Sequence, residues 1–177
     1  MDKCELRKIA KETRKTLDIK SISVNIAHNI ENMTEFQKSR NVLLFYPKDY
    51  EINLISLCEK YNRQKNFYLP KVKGSELVVC PFDCATKLEV STFNIHEPCS
   101  EPVTPKIIDF AIIPCLCADK RGYRTGYGGG FYDRFIPELN PNCTKICTVP
   151  SVLLYEKLPN ENHDKPVDFV VTEKTIY

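Results

Sequence analysis

The sequence predicts an α/β protein, a single domain over residues 1–177 with a Rossmann-like, mostly parallel sheet flanked by helices. Three observations carry this reading. Apolar side chains recur at helical spacing through residues 3–33, and residues 42–72 read as strand, helix and strand. An apolar run from Ile107 to Ile113 then leads, within about a dozen residues, into a glycine-rich loop and a helix start.

Leu6, Ile9, Ala10 and Leu17 give Lys3 to Leu17 one apolar face, and Ile22, Ile26, Ile30 and Met33 form a second stripe. Two amphipathic helices therefore open the chain. Val42 to Tyr46 suits a buried strand, Ile52 to Tyr61 reads as a helix through Ile52, Ile55 and Leu57, and Phe67 to Val72 returns as a strand. A helix between two such strands favours parallel pairing. Leu77 to Phe82 reads as a peripheral strand, and the stretch through Pro98, Pro102 and Pro105 as ordered loop without a domain boundary. Ile107 to Ile113 is the central strand, Gly130 to Ile136 begins a helix that Pro137 ends, and Lys145 to Val149 and Phe169 to Val171 supply the last strands.

A formal net charge of +2 is too small to point to nucleic acid or an anionic membrane. The charged start, Met1 to Lys8, lacks the apolar segment of a signal peptide, and the apolar run from Phe110 to Ala118, broken by Pro114, falls far below the ~20 residues that span a bilayer. The expectation is a cytoplasmic monomer without a nucleic-acid or membrane partner. Nine cysteines, an odd number, then read as reduced thiols. Cys80 with Cys84 and Cys143 with Cys147 come nearest to metal-ligand spacing, but His28, His96 and His163 are scattered, so buried thiols are the favoured reading.

The segment from Arg124 to Arg134 concentrates the chemistry, because four of the six glycines (Gly126, Gly128, Gly129 and Gly130) fall within five residues of it. Backbone N–H groups in such a run approach a ligand closely and cradle phosphate oxygens. Two common fingerprints fail here. No Gly-Lys pair occurs for a Walker loop, and a dinucleotide pattern begun at Gly126 and Gly128 meets Phe131 where its third glycine would stand. Asp133 sits where a phosphate-bound cation would take a hard oxygen ligand.

The stretch Gly122-Tyr123-Arg124-Thr125-Gly126-Tyr127-Gly128-Gly129-Gly130-Phe131-Tyr132-Asp133 resembles the hallmark of the 5-formyltetrahydrofolate cyclo-ligase family, roughly G-x-R-L-G-x-G-x-G-Y-Y-D. Further matches follow in order: Lys3-x-x-Leu6-Arg7, Tyr46-Pro47 with Glu51, Leu69-Pro70, Glu97-Pro98, and a tail with His163-Asp164 and Val167-Asp168. Thr125 departs from the family's usual Leu, Pro114 to Asp119 departs from its Phe-Asp, and its Ala-x-x-Phe-x-x-Gln stretch is not legible from Val149 to Lys157.

The resemblance implies conversion of 5-formyltetrahydrofolate to 5,10-methenyltetrahydrofolate, with ATP as co-substrate, Mg2+ as cofactor, and ADP and phosphate released. It implies ATP contacts from Lys3, Cys4, Arg7, Arg124, Gly126, Gly128, Gly129, Gly130 and Tyr132, with Arg124 and Lys3 catalytic. Folate contacts are implied for Tyr46, Glu51, Tyr127, Phe131 and the three consecutive glycines, and metal binding for Asp133 and Asp168.

On the residues alone other readings stay open. Lys3 and Arg7, four apart, form a solvated basic face as readily as an anion site. Tyr127, Phe131 and Tyr132 read equally as packing, Asp133 as a carboxylate in a helix first turn, and Asp168 as a strand flank. His28 and His96 read as surface or capping residues. Two rival functions also stand: a catalytically silent relative that serves as a binding module, and a phosphate-handling enzyme on a similar sheet, such as a sugar-phosphate isomerase, which needs no ATP.

Overall fold

The computed structural model describes residues 1–83, 85–91 and 94–177; Cys84, paired by spacing with Cys80, lies outside them. Helix α1 (Lys3–Lys15) starts on a capping box in which the Asp2 carboxylate accepts from the Cys4 and Glu5 amides while Glu5 accepts from Asp2 N–H. Its buried row is Leu6, Ala10 and Arg14, whereas Ile9 is exposed. An arginine thus takes the third place in the i, i+4 row. Helix α2 (Ile19–Glu31) buries Ile26 and Ile30 as the stripe predicts, but Met33 lies beyond it and opens a further short helix, α3 (Thr34–Lys38).

Strand β1 (Asn41–Leu43) runs through a loop to α4 (Ile55–Tyr61) and returns as β2 (Asn66–Lys73), parallel to β1 as expected. The helix is shorter than its predicted span, because Glu51 and Ile52 are spent in the buried turn that precedes it. Strand β3 (Glu76–Phe82) pairs antiparallel with β2. β4 (Leu88–Val90) and β5 (His96–Pro98) form a separate hairpin in the stretch read as loop. Pro105–Ile107 is a 3-10 turn, so the central strand β6 (Phe110–Ile113) begins later than the apolar run.

The chain continues as β7 (Cys117–Asp119), β8 (Arg124–Thr125), α5 (Phe131–Phe135), β9 (Thr144–Thr148), β10 (Leu154–Tyr155) and β11 (Phe169–Val171). The main sheet has the order β11-β9-β6-β1-β2-β3, parallel except at β3, and β10-β7-β8 make a small second sheet. Alternate side chains of the central strands face two apolar layers. Leu43, Ala111 and Ile113 join Leu6 and Ala10 of α1 on one side; Val42, Leu44, Phe110 and Ile112 join Ile26, Ile30, Phe36 and Leu57 on the other.

From β1 the chain builds outward through β2 and β3, and from β6 it builds the opposite way through β9 and β11. The strand order therefore reverses between β1 and β6. A crevice opens at the carboxyl ends of parallel strands at such a point.

Candidate active site

The crevice is there, a cavity of about 490 Å³ walled by the residues that follow β1 and β6, the start of α1, and the glycine loop. Its volume lies within the ~300–1,000 Å³ usual for small-molecule sites.

The loop is held from below by Asp119, which is fully buried. Its carboxylate accepts from the amides of Arg121 (2.9 Å), Tyr123 (3.1 Å) and Leu158 (2.8 Å) and from the Arg121 guanidinium (2.7 Å). The acid stands three residues before Gly122, whose φ is +85°, and a Cβ there would lie 2.3 Å from the Val167 carbonyl oxygen. Only glycine fits that turn. β7 and β8 emerge from it as a hairpin, with buried Thr125 paired across to Cys117, and deliver Arg124 to the crevice.

Arg124 has a 5% exposed side chain; its Nη2 meets Asp133 Oδ1 at 3.0 Å and its Nη1 donates to the Lys165 carbonyl. Asp133 Oδ1 also accepts from Lys165 N–H (3.1 Å). Among the described residues both hydrogen bonds to this carboxylate fall on Oδ1, which leaves Oδ2 to a ligand. Arg7 reaches from α1 to donate through Nε to the Gly126 carbonyl (2.9 Å), and its guanidinium lies against Gly128, where a Cβ would meet Cζ at 3.5 Å. Gly128, at φ +103°, is thus confined by conformation and by Arg7 together. Helix α5 is shorter than predicted, and a 3-10 turn (Ile136–Glu138) carries Pro137.

Lys3 lies beside this cationic pair but is engaged, with Nζ 2.7 Å from Asp164 Oδ2 and 2.9 Å from Glu161 Oε1. Burial works against its charge, yet the hydrogen bonds to the two carboxylates prevail and hold its pKa above the ordinary lysine value. Asp164 responds in the opposite sense: burial would raise it, but Lys3 and the Glu161 amide keep it below the usual carboxylate range. His163 lies 3.8 Å from each of the two acids.

Glu51, which lines the same cavity, is 8% exposed. Its Oε2 accepts from Lys48 N–H (2.6 Å) and its Oε1 from the Tyr127 hydroxyl. Burial, with the nearby Glu51 charge, pushes the Tyr127 phenol well up, and burial does the same to Tyr132. The turn that presents Glu51 includes Tyr50 at φ +62°, and Arg14, 2% exposed, donates to the Tyr50 carbonyl (3.1 Å) and to the carbonyls of Cys115 (2.8 Å) and Leu116 (3.0 Å). Tyr46 lies against His96 with ring centroids 4.8 Å apart at 37°; His96 is exposed, the surface residue the sequence suggests, with Tyr46 as its ring partner.

Of the residues singled out from sequence, Lys3, Arg7, Tyr46, Glu51, Arg124, Gly126, Tyr127, Gly128, Gly129, Gly130, Phe131, Tyr132 and Asp133 all line the crevice. Cys4 and Asp168 are not brought to it. Cys4 is exposed beside the helix cap, and Asp168 accepts from Lys145 N–H (2.7 Å) with Lys145 Nζ at 3.0 Å, which ties it to the start of β9. Sequence reasoning missed Arg14, Asp119, Glu161 and Asp164 as parts of the site. Asp119 had a signal, an acid three residues before a glycine, the pattern of an Asx-type turn. His28 interacts with Asn32 (3.3 Å) at the end of α2, as a capping residue.

A model of the 5-formyltetrahydrofolate cyclo-ligase family matches residues 2–173. The 5-formyltetrahydrofolate cyclo-ligase of Escherichia coli strain K12 is 31% identical over 147 residues, covering 78% of this chain and 81% of its own. That of Haemophilus influenzae is 29% identical over 155 residues, covering 81% of each. The NMR structure of Aquifex aeolicus 5,10-methenyltetrahydrofolate synthetase superposes with a TM-score of 0.87 at 34% identity, covering 99% of this chain and 92% of that one.

Proposed function

Because the chain belongs to the 5-formyltetrahydrofolate cyclo-ligase family, we propose that its crevice converts 5-formyltetrahydrofolate to 5,10-methenyltetrahydrofolate at the expense of ATP. One observation supports the division of the site most directly: Lys3, Arg7, Arg124 and the glycine loop form a wall of cations and amides in which Glu161, Asp164 and Asp133 hold Lys3 and Arg124, and Glu51 lines the same cavity beside Tyr127 of that loop. The cationic wall takes the ATP phosphates and Glu51 takes the amino donors of the pterin ring.

An amide-like formyl oxygen is a poor leaving group. Its phosphorylation by ATP makes it a good one, the neighbouring folate nitrogen attacks the activated carbon, and phosphate departs as the ring closes. The chain's part is alignment and charge neutralisation, and no protein nucleophile is needed. Arg124, nearly sealed from solvent, is oriented by Asp133 and the Lys165 carbonyl and so meets the transferred group in a fixed pose. Lys3 exchanges Glu161 and Asp164 for phosphate oxygens as the nucleotide enters.

Asp133 fits a magnesium ion, since it offers a carboxylate oxygen to the crevice and such ions take one or two carboxylates plus substrate phosphates. When bound, the ion supplies charge neutralisation at the phosphates. Asp168, engaged by Lys145, is not part of that donor set in this structure. We read the chain further as one domain, monomeric and cytoplasmic, without a nucleic-acid or membrane partner; among the described residues no helix is long and apolar enough to cross a membrane.

The test is accumulation of the methenyl product, followed by absorbance, with 5-formyltetrahydrofolate, ATP and a divalent cation. Product is expected only when all three are present. Turnover without ATP would remove the ligase reading.

A further inference from the structure

Glu51 is assigned to the substrate, yet in this structure it is nearly out of a substrate's reach. It is 8% exposed, Lys48 N–H holds one carboxylate oxygen, and the Tyr127 hydroxyl caps the other. The capping side chain is only half enclosed. Tyr127 is 46% exposed although its hydroxyl end is buried against Glu51. It stands between Gly126, where a Cβ would meet nothing within 4 Å, and Gly128 at φ +103°. Arg7 fixes the backbone on both sides, taking the Gly126 carbonyl and packing against Gly128, so the freedom left to Tyr127 lies in its side-chain torsions. From α1, Lys11 Nζ lies 5.9 Å over the exposed ring, at the outer limit of a cation–π contact.

Resting on the assignment of Glu51 to substrate, we infer that Tyr127 is a latch: its hydroxyl occupies the place on Glu51 that a substrate N–H donor takes, and binding turns the ring away about its own side-chain torsions. The latch makes Tyr127 a specificity-determining residue. A ligand that presents an N–H donor to Glu51 replaces the broken hydrogen bond, whereas one that lacks it leaves a buried carboxylate oxygen unsatisfied and binds poorly.

Calorimetric titration of the full chain with 5-formyltetrahydrofolate, without ATP, tests this in the wild type, Tyr127→Phe, Glu51→Ala and the double variant. Tyr127→Phe keeps the ring but removes the cap, so folate should bind roughly three- to tenfold tighter, the worth of one hydrogen bond no longer broken. Glu51→Ala should bind more weakly, and in its background Tyr127→Phe should have no effect. Tyrosine labelled with 13C at Cζ supplies a readout independent of affinity: the Tyr127 signal, identified by its absence in Tyr127→Phe, should shift when folate alone is added. If Tyr127→Phe binds folate equally or more weakly while Glu51→Ala is impaired, Tyr127 is a fixed contact and the latch is overturned. Should Glu51→Ala bind normally, the assignment of Glu51 itself fails, and that arm alone reveals it.

Discussion

Arg124 carries the heaviest assignment of any single residue, and its environment explains why lysine cannot replace it. The guanidinium serves Asp133 through one nitrogen and the Lys165 carbonyl through another, and it presents a planar fork to the crevice. Arg124→Lys keeps the charge but loses that geometry, so kcat/KM for ATP should fall by about 10- to 100-fold, read from initial rates at saturating folate. Asp133→Asn removes the charge a hard cation selects for; activity titrated against magnesium should need much higher concentrations, and a wild-type titration would return Asp133 to the role of an Arg124 partner alone. The cations and glycines of this site were legible in the sequence because residue type and spacing announce them. Glu161 and Asp164 were not, because their partner Lys3 lies 158 and 161 residues away and no local pattern encodes such a pairing.

At the scale of elements, legibility followed length for the helices and long strands, and an unbroken apolar run for the three-residue β1 and β11. α1, α2, β2 and β3 are long enough to show a period, and all four stand close to where the sequence puts them. β7, β8 and β10 have two or three residues each, too few for alternation to register, so the small sheet that carries the glycine loop went unseen. α4 begins later than its apolar spacing suggests because Ile52 and Leu54 are buried by the turn that presents Glu51. The hairpin from β7 to β8 yields a prediction of its own. At Gly122 a methyl group would meet the Val167 carbonyl oxygen at 2.3 Å in a backbone conformation hostile to side chains. Gly122→Ala should destabilise the fold by about 2–4 kcal/mol in urea unfolding. Gly128→Val strains a residue at φ +103° but meets Arg7 only at ordinary contact distance, so it should cost less than Gly122→Ala, about 1–3 kcal/mol, while abolishing ATP binding by calorimetry in the folded variant, since the added bulk falls against Arg7 within the phosphate wall. Equal stability losses in the two variants would mean that the loop is scaffold throughout.

Across the whole molecule the odd cysteine count reads as packing, with Cys58, Cys80, Cys115, Cys117, Cys143 and Cys147 all buried. That packing fixes how the fold responds to alkali. Burial pushes the Cys117 thiol up to about 11 and the Cys143 thiol to about 12, from an ordinary value of 9.0. A thiol whose pKa is raised in the folded state holds its proton there while the unfolded chain releases it, so its stabilising contribution is complete below pH 9 and declines as pH rises toward the folded value. Each such thiol adds a slope of about 1.4 kcal/mol per pH unit over that window. Urea unfolding under reducing conditions at pH 8, 9, 10 and 10.5 should therefore show stability level to about pH 9 and falling beyond it. Cys143→Ala costs packing at every pH, so its baseline is no guide. Its slope above pH 9 is the informative quantity, and it should be shallower than the wild-type slope by about one thiol's worth. An unchanged slope would mean that Cys143 ionises in the folded protein as it does in water, and the loss of stability in alkali would then belong to other groups.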